Sequence, residues 1–285
     1  MNPNLLQLKL NSRLLDLSTP VIMGIVNVTP DSFFKGNRFV TQKAILNGVE
    51  NMIREGVSMI DVGGYSTRPS AEVITQDEEI RRLSEGLDVI LKKFPNVPVS
   101  VDTFRSGVAR HVVTNYGVAM INDVSGGTLD DLMFETIAEL NVAYVLMHMR
   151  GTPQTMQAHV QYDDVVSEVL HFLEKHLSQL HLLGVNDVVI DPGFGFSKTI
   201  DQNYKLLNKL EYFKQLNVPI LAGVSRKSML TKTLGIDANN ALNATTAANM
   251  LALQGGASIL RVHDVKEAVQ AITIYNKYFE NQSID

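Results

Sequence analysis

Val188-Val189-Ile190-Asp191-Pro192-Gly193-Phe194-Gly195-Phe196 lies in the second half of the chain. Three β-branched apolar residues running into an acid and then a Pro-Gly break spell a buried parallel strand whose last residue carries a carboxylate off the sheet edge. Gly193 and Gly195 permit a tight turn. Phe194 and Phe196 set flat apolar walls beside the carboxylate, a setting that suits a planar, nitrogen-rich ring. Alone, the stretch reads equally as a strand-to-loop turn with an Asp capping its own backbone. Repetition decides, because the same strand-then-polar pattern recurs along the chain.

Upstream, Val21–Val26 is a buried strand leading into Asn27-Val28-Thr29-Pro30-Asp31-Ser32-Phe33, and Val57–Val62 leads into Gly63-Gly64-Tyr65-Ser66-Thr67-Arg68-Pro69. Val97–Val101 ends at Asp102, Ala119–Ile121 at Asn122-Asp123, and Ala143–Met147 at His148. Downstream, Pro219–Val224 leads to Ser225-Arg226-Lys227, and Ser258–Leu260 to Arg261-Val262-His263-Asp264. Helical periodicity fills the gaps, beginning after Thr41 and clearest at Val166, Val169, Leu170, Leu173, Leu177 and Leu180. Thr75 and Glu78 have the spacing of a capping box. Eight strands alternating with helices require a parallel sheet, since parallel neighbours need a crossover. The expected fold is α/β, a (β/α)8 TIM barrel forming one domain over residues 1–285, because no Pro/Gly/Ser-rich linker divides the chain. Leu6, Leu8 and Leu10, a turn at Asn11-Ser12, then Leu15 and Leu17 read as an N-terminal β-hairpin within residues 1–20 that closes the bottom of the barrel. A doubly wound open sheet is the alternative, and the lack of a G-x-G-x-x-G after the first strand speaks against it.

The 285 residues are 45% hydrophobic, enough for a full core, and the net charge of −5 argues against a broad nucleic-acid or anionic-membrane surface. Neither partner is expected, and Lys9, Arg13 and Asp16 interrupt the N-terminal leucines, so no signal-peptide core or membrane span is read there. With no cysteine, disulfides, thiolate metal sites and cysteine nucleophiles are excluded, and a cytoplasmic protein fits.

In such a barrel the strand-end residues Asn27, Thr67, Arg68, Asp102, Asn122, Asp191, Lys227, Arg261 and His263 converge on one mouth. Each taken singly is as well explained as a cap, a surface ion pair or a loop histidine; their succession at the strand ends favours a site. Asp102, Asn122 and Asp191 suit the donor-rich edge of an amino-amidine heterocycle, with Lys227 on its carbonyl. Arg261 and His263 lie beside Asn27 at the closing seam, where barrels often bind phosphate. Asp264 and Glu267 read as the start of a helix just beyond His263, where anions are favoured. Thr67 and Arg68, on a glycine-introduced loop, would close over the same anion. His111, His159, His171, His176 and His181 show no ligand pattern, and His171 and His176 are assigned to solvent.

Taken in order, these segments resemble the dihydropteroate synthase family from about Pro20 to His263. The matching motifs are Asn27–Phe33, Asp61–Pro69, Val101-Asp102-Thr103, Ile121-Asn122-Asp123, Asp191–Phe196, Ser225-Arg226-Lys227 and Arg261-Val262-His263. The resemblance implies a homodimeric, Mg²⁺-using barrel that condenses 6-hydroxymethyl-7,8-dihydropterin diphosphate with p-aminobenzoate, the reaction sulfonamides target. It assigns Asp102, Asn122, Asp191 and Lys227 to the pterin, and Asn27, Thr67, Arg68, Arg261 and His263 to the diphosphate. Asn27 would also serve the metal, and Phe33, Pro69, Phe196 and Ser225 the p-aminobenzoate pocket. Asp102, Asp191, Lys227, Arg261, His263 and Arg68 are the residues expected to act on the reaction, a largely dissociative substitution. The chain departs from the family where Phe34-Lys35-Gly36-Asn37 replaces the common Ser-Asp-Gly-Gly, and where Tyr65 stands in place of Glu or Val. A pterin-binding methyltransferase domain, a catalytically silent pterin-binding paralogue and, more remotely, a Schiff-base aldolase using Lys227 are the rivals.

Overall fold

The computed structural model of the protein describes residues 6–28, 38–67 and 72–280. A hairpin of β1 (Gln7–Leu10) and β2 (Arg13–Asp16) turns at Asn11, whose φ is +56°. Eight strands follow: β3 (Val21–Asn27), β4 (Met59–Gly63), β5 (Val99–Asp102), β6 (Met120–Asp123), β7 (Ala143–Met147), β8 (Val188–Asp191), β9 (Leu221–Ala222) and β10 (Ile259–Val262). All are parallel, in the order β8-β7-β6-β5-β4-β3-β10-β9, and a bridge between Ile190 and Ile220 joins the outer two. The sheet therefore closes into the expected barrel. Helices α1 (Arg38–Arg54), α2 (Gln76–Lys93), α3 (Ser106–Tyr116), α4 (Met133–Leu140), α5 (Val165–Leu182), α6 (Ile200–Asn208), α7 (Ser228–Leu234), α8 (Leu242–Gln254) and α9 (Val265–Glu280) provide the crossovers and the outer ring.

Strand periodicity sorts the core into two shells. Outward residues such as Tyr144, Leu146, Val188 and Ile190 pack under the helices, meeting Leu83, Leu87 and Ile90 of α2 and Val169, Leu173, Leu177 and Leu180 of α5. Inward residues of the lower barrel, Met23, Met59, Met120, Val145, Val189, Leu221 and Ile259, pack on Leu8, Leu10 and Leu17 of the hairpin segment. The hairpin is pinned to the loops beneath the strands: Lys9 N–H donates to Asp187 Oδ1 (2.7 Å), Asn11 Nδ2 to the Gly117 carbonyl (2.8 Å) and Arg13 Nη1 to that of Asn96 (3.0 Å).

Differences from expectation are local. Strand β4 starts at Met59 because the Val57 N–H closes α1 on the Met52 carbonyl (3.0 Å). Thr75 accepts from the Glu78 N–H (3.3 Å), but the Glu78 carboxylate is drawn to Arg81 and Arg82, while a full capping box forms at Thr199 and Gln202 of α6. His176 is not a solvent residue: its Nδ1 bonds to the Phe172 carbonyl (2.7 Å), and its ring lies 4.0 Å from that of Phe172.

Candidate active site

Parallel pairing sets the upper tier of the barrel. Asn27 is in register with Gly63, Gly63 with Asp102, and Asp102 with Asn122. Asp61 precedes Gly63 by two residues, so it faces inward one tier deeper, above Met59. The sequence pattern did not single it out as a site residue, yet it is the hub of the mouth. Arg261 Nε donates to Asp61 Oδ2 (2.7 Å), Arg261 Nη2 to Asp102 Oδ2 (2.9 Å), and Asn122 Nδ2 to Asp61 Oδ2 (2.9 Å). Asp61 is fully buried, and its Oδ1 has no partner among the described residues. Arg261, grouped with the diphosphate residues by sequence, thus lies against the carboxylates of the heterocycle half. Burial pushes the Asp102 carboxyl up, with the Arg261 charge opposing.

Asp191 closes β8 across the barrel. Its Oδ1 accepts from the Gly193 N–H (2.7 Å), and burial pushes its carboxyl up against the opposing pull of Lys227, the Gly193 amide, Lys198 and Arg261. Lys227, at the N-terminal end of α7, donates to the Phe194 carbonyl and stands 4.3 Å from the centroid of the Phe196 ring. Burial pushes its ammonium down to about 8, with Asp191 opposing. Phe196 also borders an apolar cluster of Val124, Met147, Met149 and Met156.

At the seam, His263 Nδ1 lies 2.9 Å from Ser225 Oγ, and the His263 N–H donates back to that oxygen (3.3 Å). The residue keeps a solvent-facing edge, but enclosure of its ring and the Arg261 charge push it down to about 4. A neutral imidazole accepting at Nδ1 presents Nε2–H as a donor. Arg226, in a left-handed conformation (φ +55°), clamps Asp264 through Nε (2.9 Å) and Nη2 (2.6 Å), tying the loop after β9 to that after β10. Asn27 is solvent-facing at the end of β3, and Thr67 is half-buried in the loop after β4. Arg68, Pro69, Phe33 and Lys35 lie outside the described residues.

The arrangement supplies buried acceptors opposite one donor-rich face, an ammonium for a ring oxygen, and a neutral N–H donor near a guanidinium for an anion. Among the described residues no group of three or more His, Asp or Glu is placed to hold a metal ion. A hard cation here would find the Asn27 amide oxygen and would complete its octahedral shell from substrate phosphate and water, the usual habit of Mg²⁺.

Residues 23–263 match the family of pterin-binding enzymes. The chain is 38% identical over 272 residues to dihydropteroate synthase of Haemophilus influenzae, covering 95% of this chain and 98% of that protein. It is 39% identical over 265 residues to that of Escherichia coli, covering 91% and 92%. The fold superposes on Xanthomonas albilineans dihydropteroate synthase with 4-aminobenzoic acid at a TM-score of 0.89 and 38% identity, covering 98% of this chain and 99% of that one. The Yersinia pestis dihydropteroate synthase in a sulfonamide drug complex gives 0.89 at 35%, covering 96% and 99%. A barrel that gathers Asp61, Asp102, Asn122, Asp191, Lys227 and Arg261 at one mouth, matched along nearly its whole length, belongs to the dihydropteroate synthases, transferases of folate biosynthesis.

Proposed function

We propose that this mouth binds 6-hydroxymethyl-7,8-dihydropterin diphosphate with its amino-amidine edge on Asp102, Asn122 and Asp191 and its ring oxygen on Lys227. The observation that carries the reading is the Arg261–Asp61–Asp102–Asn122 network facing the Asp191–Lys227 pair: buried acceptors, one of them without a partner among the described residues, in a chain whose relatives are dihydropteroate synthases. The diphosphate extends toward Asn27, Thr67 and His263, with Arg261 between the two halves, and the family resemblance assigns Arg68 to the same anion. When bound, Mg²⁺ beside Asn27 would neutralise charge on the diphosphate. Arg261, Arg68 and the His263 Nε2–H stabilise the departing anion.

The p-aminobenzoate amine is neutral at pH 7 and needs no base to become a nucleophile, so no Ser-His-Asp arrangement is required of the mouth. Asp102 and Asp191 favour positive charge on the pterin as diphosphate leaves, so the substitution is largely dissociative. The family resemblance assigns Phe33, Pro69, Phe196 and Ser225 to the p-aminobenzoate pocket, where sulfonamides would compete. We further propose a cytoplasmic homodimer; α8 and the neighbouring α9 expose Leu251, Ile274 and Tyr278, apolar surface that a second copy would cover. The deciding experiment measures diphosphate release. Release only when both substrates are present supports the reading, whereas pterin binding without turnover on p-aminobenzoate overturns it in favour of a silent paralogue.

A further inference from the structure

Lys198 has the least exposed surface of any lysine among the described residues, 4%. It follows the turn after Asp191 and immediately precedes Thr199, the N-cap of α6. Its side chain folds back beneath that turn. Nζ donates to the carbonyls of Gly193 (3.0 Å), Phe196 (3.0 Å) and His148 (3.4 Å) and lies 3.0 Å from His148 Nδ1. Burying an unpaired ammonium is costly, and an apolar residue would be the ordinary choice if filling space were its only task.

The contacts lead to Asp191. Gly193 gives its carbonyl to Lys198 and its N–H to Asp191 Oδ1, so one residue connects the ammonium to the carboxylate. Gly193 has φ +75°, and a Cβ there would come within 2.0 Å of the His148 carbonyl oxygen, so the turn has little room to shift. The His148 N–H in turn donates to the Asp191 carbonyl (3.1 Å), and the Arg150 N–H to Ser197 Oγ (3.0 Å), riveting the turn to the end of β7.

We infer that Lys198 is a positioning residue for pterin recognition: from beneath the turn it fixes Gly193, whose N–H aims the Asp191 carboxylate. The inference rests on the reading of Asp191 as a pterin anchor. The groups facing the pair agree with it. Burial pushes Asp191 up, while Lys227, the Gly193 amide, Lys198 and Arg261 pull it down. Burial pushes Lys198 well down, Asp191 favours its ammonium, and Lys227 and Arg150 disfavour it. His148 is likewise pushed down by burial and by Lys198, which leaves its Nδ1 free to accept.

The test compares wild type, K198M and K198R for binding of 6-hydroxymethyl-7,8-dihydropterin diphosphate across pH. K198M should weaken binding about tenfold or more and move its acid limb up by about one pH unit, since one unit is a tenfold change in protonation equilibrium. KM for p-aminobenzoate should change by less than about threefold, well inside that factor. K198R should return the limb toward its wild-type position. A K198M protein that melts earlier but binds with wild-type affinity and pH dependence overturns the inference, because lost packing alone would do that. Lysine side-chain NMR of wild type and D191N gives a second measurement that does not need K198M to fold. The Lys198 signal, assigned by its loss in K198R, should titrate at lower pH in D191N, and an unmoved titration overturns the inference. Absence of pterin diphosphate binding by the wild-type chain would overturn the reading of the site itself and this inference with it.

Discussion

The two ends of the barrel interior are built from the same strands and used in opposite ways. Below, Met23, Met59, Met120, Val145, Val189, Leu221 and Ile259 meet the hairpin leucines in an apolar plug. Two residues further along β4 and β8, the inward positions carry Asp61 and Asp191, and Arg261 bridges Asp61 to Asp102, which lies one tier above it. The lower end gains free energy from burying hydrocarbon, on the order of 25 cal/mol per Å². The upper end spends part of it holding charges out of water. Substitutions below should therefore act on stability with binding intact, and substitutions above on binding first.

Arg261 is where that division should fail most visibly. Asp61 is fully buried and Asp102 nearly so, and both lean on this one guanidinium. Removing one partner of a buried ion pair typically costs about 3–5 kcal/mol, so Arg261→Met should lose stability as well as activity. The sign with pH is fixed by the acids. Burial already raises the Asp102 carboxyl above its unfolded value, and loss of Arg261 raises it further. The native state then binds more protons than the unfolded chain, so stability falls as pH rises from the unfolded carboxylate range through the folded value. Denaturant unfolding at acid and alkaline pH checks this; a variant as stable as wild type at alkaline pH would show that substrate binding alone needs the network.

Leu8→Ala tests the other end. Leu8 is 1% exposed in the plug, and such truncations cost about 2–5 kcal/mol. Tm should fall, while kcat/KM, measured where the variant is still folded, should stay at the wild-type value. A fall in kcat/KM without a fall in Tm would mean that the plug communicates with the mouth.

The same contrast explains what could be read from the chain. The plug and the helices were legible because apolar spacing reports burial directly: Leu8 and Leu10, or Val169, Leu173 and Leu177, declare their faces. Asp102, Asn122 and Asp191 were legible because each ends an apolar run. Asp61 was not, because it lies inside its strand between Ile60 and Val62, and its inward phase shows only once Met59 and Gly63 are placed. Lys198 gives no periodic signal at all, since a lysine before a helix cap reads as solvent-facing. Arg226 carries no sequence signal for its partner, and its place shows only in the left-handed backbone and its ion pair with Asp264.

Lys227 belongs to the binding end, and its effect should appear in the pH profile. With its ammonium pushed down to about 8, the group loses its proton as pH rises through that value and can no longer donate to a ring oxygen. The kcat/KM for the pterin diphosphate should fall above about pH 8, by tenfold per unit at the limit. In Lys227→Met that limb should be gone, leaving a low and level profile. An alkaline limb persisting unchanged in the variant would assign it to another group.

Tyr65 marks the edge of the upper end, and the smallest effect is expected there. The ring packs edge-on against Phe104 at 5.3 Å with the Arg105 guanidinium 5.4 Å away, while Gln154 Nε2 donates to its hydroxyl at 2.6 Å. Tyr65→Phe removes only that bond. Gln154 is half-buried and can turn toward water, so the loss should not exceed the net worth of one hydrogen bond, about 0.5–1.5 kcal/mol. Both ring contacts persist in the variant, and the buried carboxylates of the mouth are untouched by it. Steady-state kinetics should show kcat/KM for p-aminobenzoate within about tenfold of wild type, the factor that roughly 1.4 kcal/mol would give, and Tm should move little. A hundredfold fall would place the Tyr65–Gln154 bridge inside the binding layer, and the boundary between the part of this barrel that holds substrate and the part that holds the fold would have to be drawn one loop further out.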